Sequence, residues 1–505
     1  MKKFKYSTGF AFLFMTATAL TACGNKKDIR FWSSFGAAYS GAVDRIVEKV
    51  EKQTGVKIEH ESKGSYPEIR KAMILGINDM DIPELAIGYP DHFVSYLGSN
   101  VLTPLDDLFT QDELNDYIPE YLEENYFYDN GGANAQRHLY GLPFNKSTEL
   151  LGYNGVFVDY CATINPDLAN VPATWGEWAT KGPEYNAIFE QLLDGKVKLY
   201  GTQDANGHAS GFNTSGASGE LLLDFSNADK AESYLMSWDA TDNAFITLIK
   251  QWGARYTVLP ESQMKNPVDE RIGEAWFTSS TDLPYVRECL RFFNSLHKAK
   301  LFAVPKKLGG KYATDAFEQC KVMFMVCSSG GLSYNTTNWA HRFRVAPIPY
   351  KEADKKYVIS QGANICLTSV GNTKKAVQVM KALTRGEIQT DWCLETGYFP
   401  GSYSSKNSDR YDEFIKSTDY SSGTKVAFRE GAAINRDIYT KASEGWHNFV
   451  DPAFDGSAIL REKLAGVLEA ACNLSATATD AEYNKIFTDI KNNADLKQCG
   501  TLEFK

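Results

Sequence analysis

The chain has 505 residues, 43% of them hydrophobic and 13% aromatic, which is enough to build more than one core, so two lobes or domains are expected. With 63 acidic against 53 basic residues the net charge is −10, which argues against nucleic acid or an anionic bilayer surface as the main partner.

The first residues read as a secretory signal: Lys2, Lys3 and Lys5, an apolar run over 10–20, then Leu20-Thr21-Ala22-Cys23-Gly24. The run falls short of the ~20 apolar residues a membrane-spanning helix needs. Small residues before a cysteine resemble the bacterial lipobox, which makes Cys23 the expected lipidation site. Residues 1–22 would then be a cleaved lipoprotein signal peptide and 23–27 a tether. Loss of the three lysines leaves the mature chain more acidic still.

Residues 29–32 read as a strand, and Val43, Ile46, Val47 and Val50 recur at helical spacing over 37–54, where Gly55 ends the helix. A second strand is expected at 56–58, a helix that Pro67 opens and that runs through Ile69, Met73 and Ile77, and a third strand at 84–87. Strands alternating with helices predict a parallel α/β sheet covered on both faces. Ligands bind beyond the carboxyl ends of such strands, which singles out the turns 33–36, 63–66 and 89–92. The middle of the chain is mostly helical, with polar loops such as 204–218, and shows no internal repeat. Later strands are expected at 322–326, 344–348 and 363–368, a helix through Ala376 to Met380, a polar surface excursion over 402–422, and final helices at 459–471 and 481–490.

Nine cysteines leave eight besides Cys23, none in a C-x-x-C pair, and those in apolar runs read as buried thiols; Cys472 with Cys499 is one pairing open to oxidation. The motifs G-x-S-x-G, H-E-x-x-H, Walker A and G-x-G-x-x-G are absent from the sequence, which sets aside the common hydrolase, metalloprotease and nucleotide-binding readings. A polysaccharide-directed enzyme using a carboxylate pair is a further alternative, but 63 acidic residues make any such pair uninformative. The segment 204–207 lacks the ligand spacing of a calcium loop and reads as a turn. No metal site, cofactor or catalytic residue is expected.

A collinear set of short motifs runs through nearly the whole mature chain. It comprises Phe31-Trp32, residues 63–66, 141–148 with Tyr153-Asn154, 172–175, 328–330, 346–349, Gly362-Ala363, 396–400 and 459–461. In this order they resemble the extracellular solute-binding proteins of carbohydrate and glycerol-phosphate ABC importers, the maltose-binding-like family. The resemblance implies an α/β, two-lobed periplasmic-binding-protein type II fold with three crossing hinge segments. It places lobe 1 at 28–147 plus 343–386 and lobe 2 at 148–342 plus 387–505. It also implies a monomeric, lipid-anchored protein on the extracytoplasmic face of the cell membrane, which captures a small polar ligand by hinge closure and presents it to permease subunits.

By position, Tyr66, Ser147, Ser329, Gly362, Tyr398 and Arg461 fall where the glycerol-3-phosphate binders contact ligand. Tyrosine and serine hydroxyls suit a sugar or glycerol, and an arginine fork suits a phosphate. Two departures stand out. The acid after the third strand is displaced by one residue, to Asp91, and a tryptophan pair is replaced by Asp242-Asn243. These favour a sugar or oligosaccharide, with Asp91, His92, Asp242 and Asn243 bonding hydroxyls, over glycerol 3-phosphate or a glycerophosphodiester. Trp32, Trp175, Trp178 and Trp252 are expected in the core.

Overall fold

A computed structural model describes residues 27–204, 206–336, 343–420 and 422–505. The expected signal peptide and Cys23 lie outside the described residues. The opening follows the periodicity. In the helix Ser40–Thr54, Val43, Ile46 and Val50 are buried on one stripe, and Gly55 ends it with a left-handed φ of 71° that a Cβ would resist. The helix Tyr66–Gly76 starts where Ser65 accepts the Glu68 N–H and Pro67 takes the first turn, a position that needs no N–H donor.

The main sheet orders its strands as Phe302–Ala303, Met236–Trp238, Phe324–Ser328, Gly141–Asn154, Lys356–Leu367, Leu85–Gly88, Ile29–Ser33 and Ile58–Ser62. Its two ends are parallel, and the two long strands in the middle run antiparallel to each other. Ile58–Ser62 begins two residues later than expected. It is the last strand of the sheet, and Glu59, Glu61 and Ser62 are exposed, so no apolar alternation marks it.

Two hydrophobic cores divide the chain. One gathers Ile29, Phe31, Val43, Leu85, Phe144, Ile365, Met380 and Trp392, the other Leu150, Trp175, Trp238, Phe245, Phe293, Phe324, Phe343 and Leu468. The strand Gly141–Asn154 passes between them. Its first half pairs with residues 360–366, and its second half with Phe324–Ser328 and Phe343–Ala346. Lys356–Leu367 makes the second passage beside it, with Val358 in the second core and Ala363 in the first. Further along, Tyr411 lies in the first core, and the helix Gly423–Ile434 touches both, with Ala427 and Phe428 in the second and Ala432 in the first. The expected boundaries at 343 and 387 therefore differ from this division. Residues 343–348 pack with the second core because they pair with 151–154, and the helix Gly386–Thr396 packs with the first through Ile388, Trp392 and Cys393.

The polar stretch 402–422 is largely at the surface, as expected, but it carries the helices Tyr403–Lys406 and Asp409–Lys416 and is pinned to the first lobe at three points. Ser402, Ser405 and Tyr411 are buried, with Ser402 donating to Gln389 at 2.7 Å and Ser405 bonded to Thr390 at 2.9 Å. All four tryptophans expected in the core are buried. Cys161, Cys289, Cys327, Cys366, Cys393 and Cys472 are buried free thiols, and Cys472 and Cys499 are not paired. The Cys499 thiol instead lies 2.9 Å from Thr501 Oγ1. Asp204 caps a turn through the N–H groups of Asn206 and His208. Among the described residues, no helix is long and apolar enough to cross a membrane.

Candidate functional site

Between the two cores, at the carboxyl ends of the first-lobe strands, lies a cavity of about 860 Å³. All three turns singled out by the sequence contribute to it, through Ser34 and Phe35, Gly64 to Tyr66, and Tyr89 to Asp91. The two passing strands form its hinge side, with Ser147, Glu149, Ile359, Ser360 and Gly362. The second lobe supplies Asp239, Asp242, Asn243, Tyr256, Asp451 and Arg461. A separate concavity of about 640 Å³ beside Gln53, Lys381 and Arg385 contains none of the expected site residues.

Eight of the nine expected contact residues line the cavity: Tyr66, Asp91, Ser147, Asp242, Asn243, Gly362, Tyr398 and Arg461. The exception is Ser329, which is fully buried behind the wall with its Oγ accepting the Thr148 N–H at 3.4 Å. The neighbouring Ser328 and Gly330 reach the cavity in its place. Gly362 has a backbone reason to be glycine: at a φ of 96°, a Cβ would sit 2.1 Å from the Asn145 carbonyl. Gly330 likewise leaves room for the Tyr398 ring, which a Cβ there would meet at 2.5 Å.

Tyrosines dominate one wall. The Tyr66 hydroxyl accepts from Asn145 Nδ2 at 2.9 Å, and its ring centre is 4.6 Å from that of Tyr89. Tyr398 stacks nearly parallel on Trp392. Burial pushes the phenols of Tyr66, Tyr89, Tyr256 and Tyr398 up, so all four are O–H groups at neutral pH.

Carboxylates dominate the other. Arg461, on the helix Ser457–Leu464, donates to Asn243 Oδ1 at 3.0 Å and lies 3.7 Å from Asp451. Burial works against its charge, but Asp91 and Asp451, then Tyr256 and Asp242, raise its pKa above the ordinary arginine value. Asp451 also lies 3.3 Å from Lys250. Asp91 sits in the first turn of the helix Pro90–Leu97, and its Oδ1 is buried without a hydrogen-bond partner. The adjacent His92 is pushed down to about 4 by burial, so it is neutral at pH 7 and adds no cation. Burial raises Glu149 to about 8 and Asp239 to about 6.

The sequence reading missed Tyr39, Glu149, Asp239, Tyr256 and Asp451. Glu149 carried a signal, as an acid set directly before Leu150-Leu151 in a strand that is buried almost throughout. Asp451 and Tyr256 come from loops without a motif.

Contacts also tie the lobes together around the cavity. The Tyr39 hydroxyl donates to the Gly330 carbonyl and accepts from Ser333 Oγ at 3.0 Å. Elsewhere, Asn130 Oδ1 accepts the Val268 N–H at 2.9 Å, and Arg271 donates to the carbonyls of Tyr128 and Asp129.

Two lobes, paired crossing strands and a cavity between them define a two-lobed solute-binding fold. The model of the bacterial extracellular solute-binding protein family matches residues 45–418, and the chain belongs to that family. No curated protein sequence matches it. Among solved structures it resembles UgpB from Mycobacterium tuberculosis in complex with glycerophosphocholine, at 17% identity and a TM-score of 0.63 over 94% of this chain and 98% of that one. It also resembles the GacH receptor of Streptomyces glaucescens, at 13% identity and a TM-score of 0.61 over 92% and 98%. A third likeness is the Thermus thermophilus maltotriose binding protein, at 16% identity and a TM-score of 0.58 over 92% and 99%.

Proposed function

We propose that this protein is the substrate-binding component of an ABC importer, held outside the membrane by a lipid on Cys23, and that it captures a neutral sugar or oligosaccharide by closing its lobes. The observation that carries the ligand class is the surroundings of Arg461. A phosphate-binding arginine needs a free fork and a surplus of positive charge. Here the guanidinium is committed to Asn243 and faces Asp91, Asp242 and Asp451, so a phosphate dianion would meet three carboxylates. Tyrosine hydroxyls, Ser34, Ser147 and the aspartates suit sugar hydroxyls, which both donate and accept. The protein acts by binding, as a monomer that hands its ligand to permease subunits, and not by catalysis.

A second reading keeps the same fold and takes a glycerophosphodiester. It is favoured by the presence of Arg461 in the cavity and by the UgpB likeness. A thermal-shift panel separates the two, because a ligand that binds the folded state raises stability by RT ln(1 + [L]/Kd). Neutral saccharides are expected to raise Tm while glycerol 3-phosphate does not. A shift with the phosphate alone overturns the sugar assignment.

A further inference from the structure

Resting on the reading of this cavity as the ligand site, we infer that Glu149 is a specificity-determining residue that presents a carboxylic O–H on Oε2 to an oxygen of the ligand. The geometry separates its two oxygens. Oε1 accepts the indole N–H of Trp238 at 2.8 Å, with both side chains almost wholly buried. Oε2 is buried and has no hydrogen-bond partner, and the residue is one of those that line the cavity. A buried oxygen left in this way carries the full desolvation penalty until a partner arrives.

Glu149 sits where the strand Gly141–Asn154 leaves the first lobe, in register with Ser328 of the second. A ligand drawn into the closed cavity therefore meets this side chain on the hinge side, where both lobes bear on it. With Oε1 already an acceptor for Trp238, the acid proton belongs on Oε2.

The charged and titratable groups around it favour the neutral acid. Asp242, on the helix Thr241–Gln251, and Asp239, just after the strand Met236–Trp238, both oppose a negative charge. Arg461 favours one, but Asp91 and Asp451 bear more strongly on that guanidinium. Cys327 on the neighbouring strand is a thiol raised by burial, and Tyr439 donates to the Glu149 carbonyl at 3.1 Å, leaving the carboxyl alone. Burial is the leading cause that raises the acid.

The test compares wild type, Glu149→Gln and Glu149→Ala by calorimetry at pH 6.5 and pH 9.5, with maltotriose and glycerophosphocholine as probes. Glutamine keeps an oxygen for Trp238 and an N–H donor in place of the O–H. The expected result is that E149Q binds within about threefold of wild type at pH 6.5 and stays flat, that wild type weakens at least about tenfold by pH 9.5, and that E149A is weak at both. E149A binding like wild type overturns the inference, as does a pH-independent wild type paired with a weak E149Q.

Trp238 emission is titrated in the same proteins without a probe, which covers the case of a misfolded E149A. A step near pH 8 that E149Q abolishes supports the acid on Oε2, and its absence overturns it. If neither probe binds wild type, the assigned ligand class fails separately, and the emission titration still decides the state of Glu149.

Discussion

Arg271 of the second lobe donates through Nη2 to the carbonyls of Tyr128, at 2.9 Å, and Asp129, at 2.6 Å, in the first, and it is only 3% exposed. With the Asn130 side chain holding the Val268 N–H, this forms a latch across the lobes that involves no cavity residue. Arg271→Ala leaves the Tyr128 and Asp129 carbonyls short of a donor, at a cost of about 1–3 kcal/mol to the contact between the lobes, beside the loss of its Nε bond to the Asn266 carbonyl within the second lobe. The lobes should then separate, and small-angle scattering should show a larger radius of gyration than wild type. An unchanged radius would remove Arg271 from the closure equilibrium.

Glu149 also sets a stability profile. A carboxyl raised in the folded state from 4.5 to about 8 binds its proton more tightly than in the unfolded chain. Its contribution is therefore fully present below about pH 4.5 and is lost as pH rises through about 8, falling by at most about 1.4 kcal/mol for each pH unit crossed between those two values. Asp239, raised to about 6, acts with the same sign at lower pH. Denaturant unfolding should show stability falling between pH 6.5 and 9, with a shallower fall in Glu149→Gln. Equal slopes would place the proton elsewhere.

Much of the first lobe was legible because its signals are local. Valine spacing, a glycine stop and a proline start fix the early helices, and the strand-end rule alone led to Ser34, Tyr66 and Asp91. The second-lobe wall was legible only where a motif resemblance reached, as at Arg461. Asp239, Tyr256 and Asp451 are far apart in sequence and meet only through long-range packing. The anchoring of Ser402 and Ser405 was hidden for the same reason: serines buried by bonds to Gln389 and Thr390 look, in sequence, like serines facing water.

The proposed lipid anchor rests on the Thr21-Ala22-Cys23-Gly24 boundary. Cys23→Ser should abolish incorporation of labelled fatty acid and leave the protein unprocessed or released from membranes. Equal labelling of the mutant would refute lipidation at this cysteine.

The central claim is that the cavity takes a neutral saccharide through its tyrosines and aspartates, and not a phosphate through Arg461. Titration calorimetry of wild type, Tyr66→Ala, Tyr398→Ala and Arg461→Ala with maltotriose and with glycerol 3-phosphate tests it most directly. The account predicts binding of the saccharide, weakened at least about tenfold, or ~1.4 kcal/mol, by each tyrosine change and less by the arginine change. Tight binding of glycerol 3-phosphate that collapses in Arg461→Ala would contradict it.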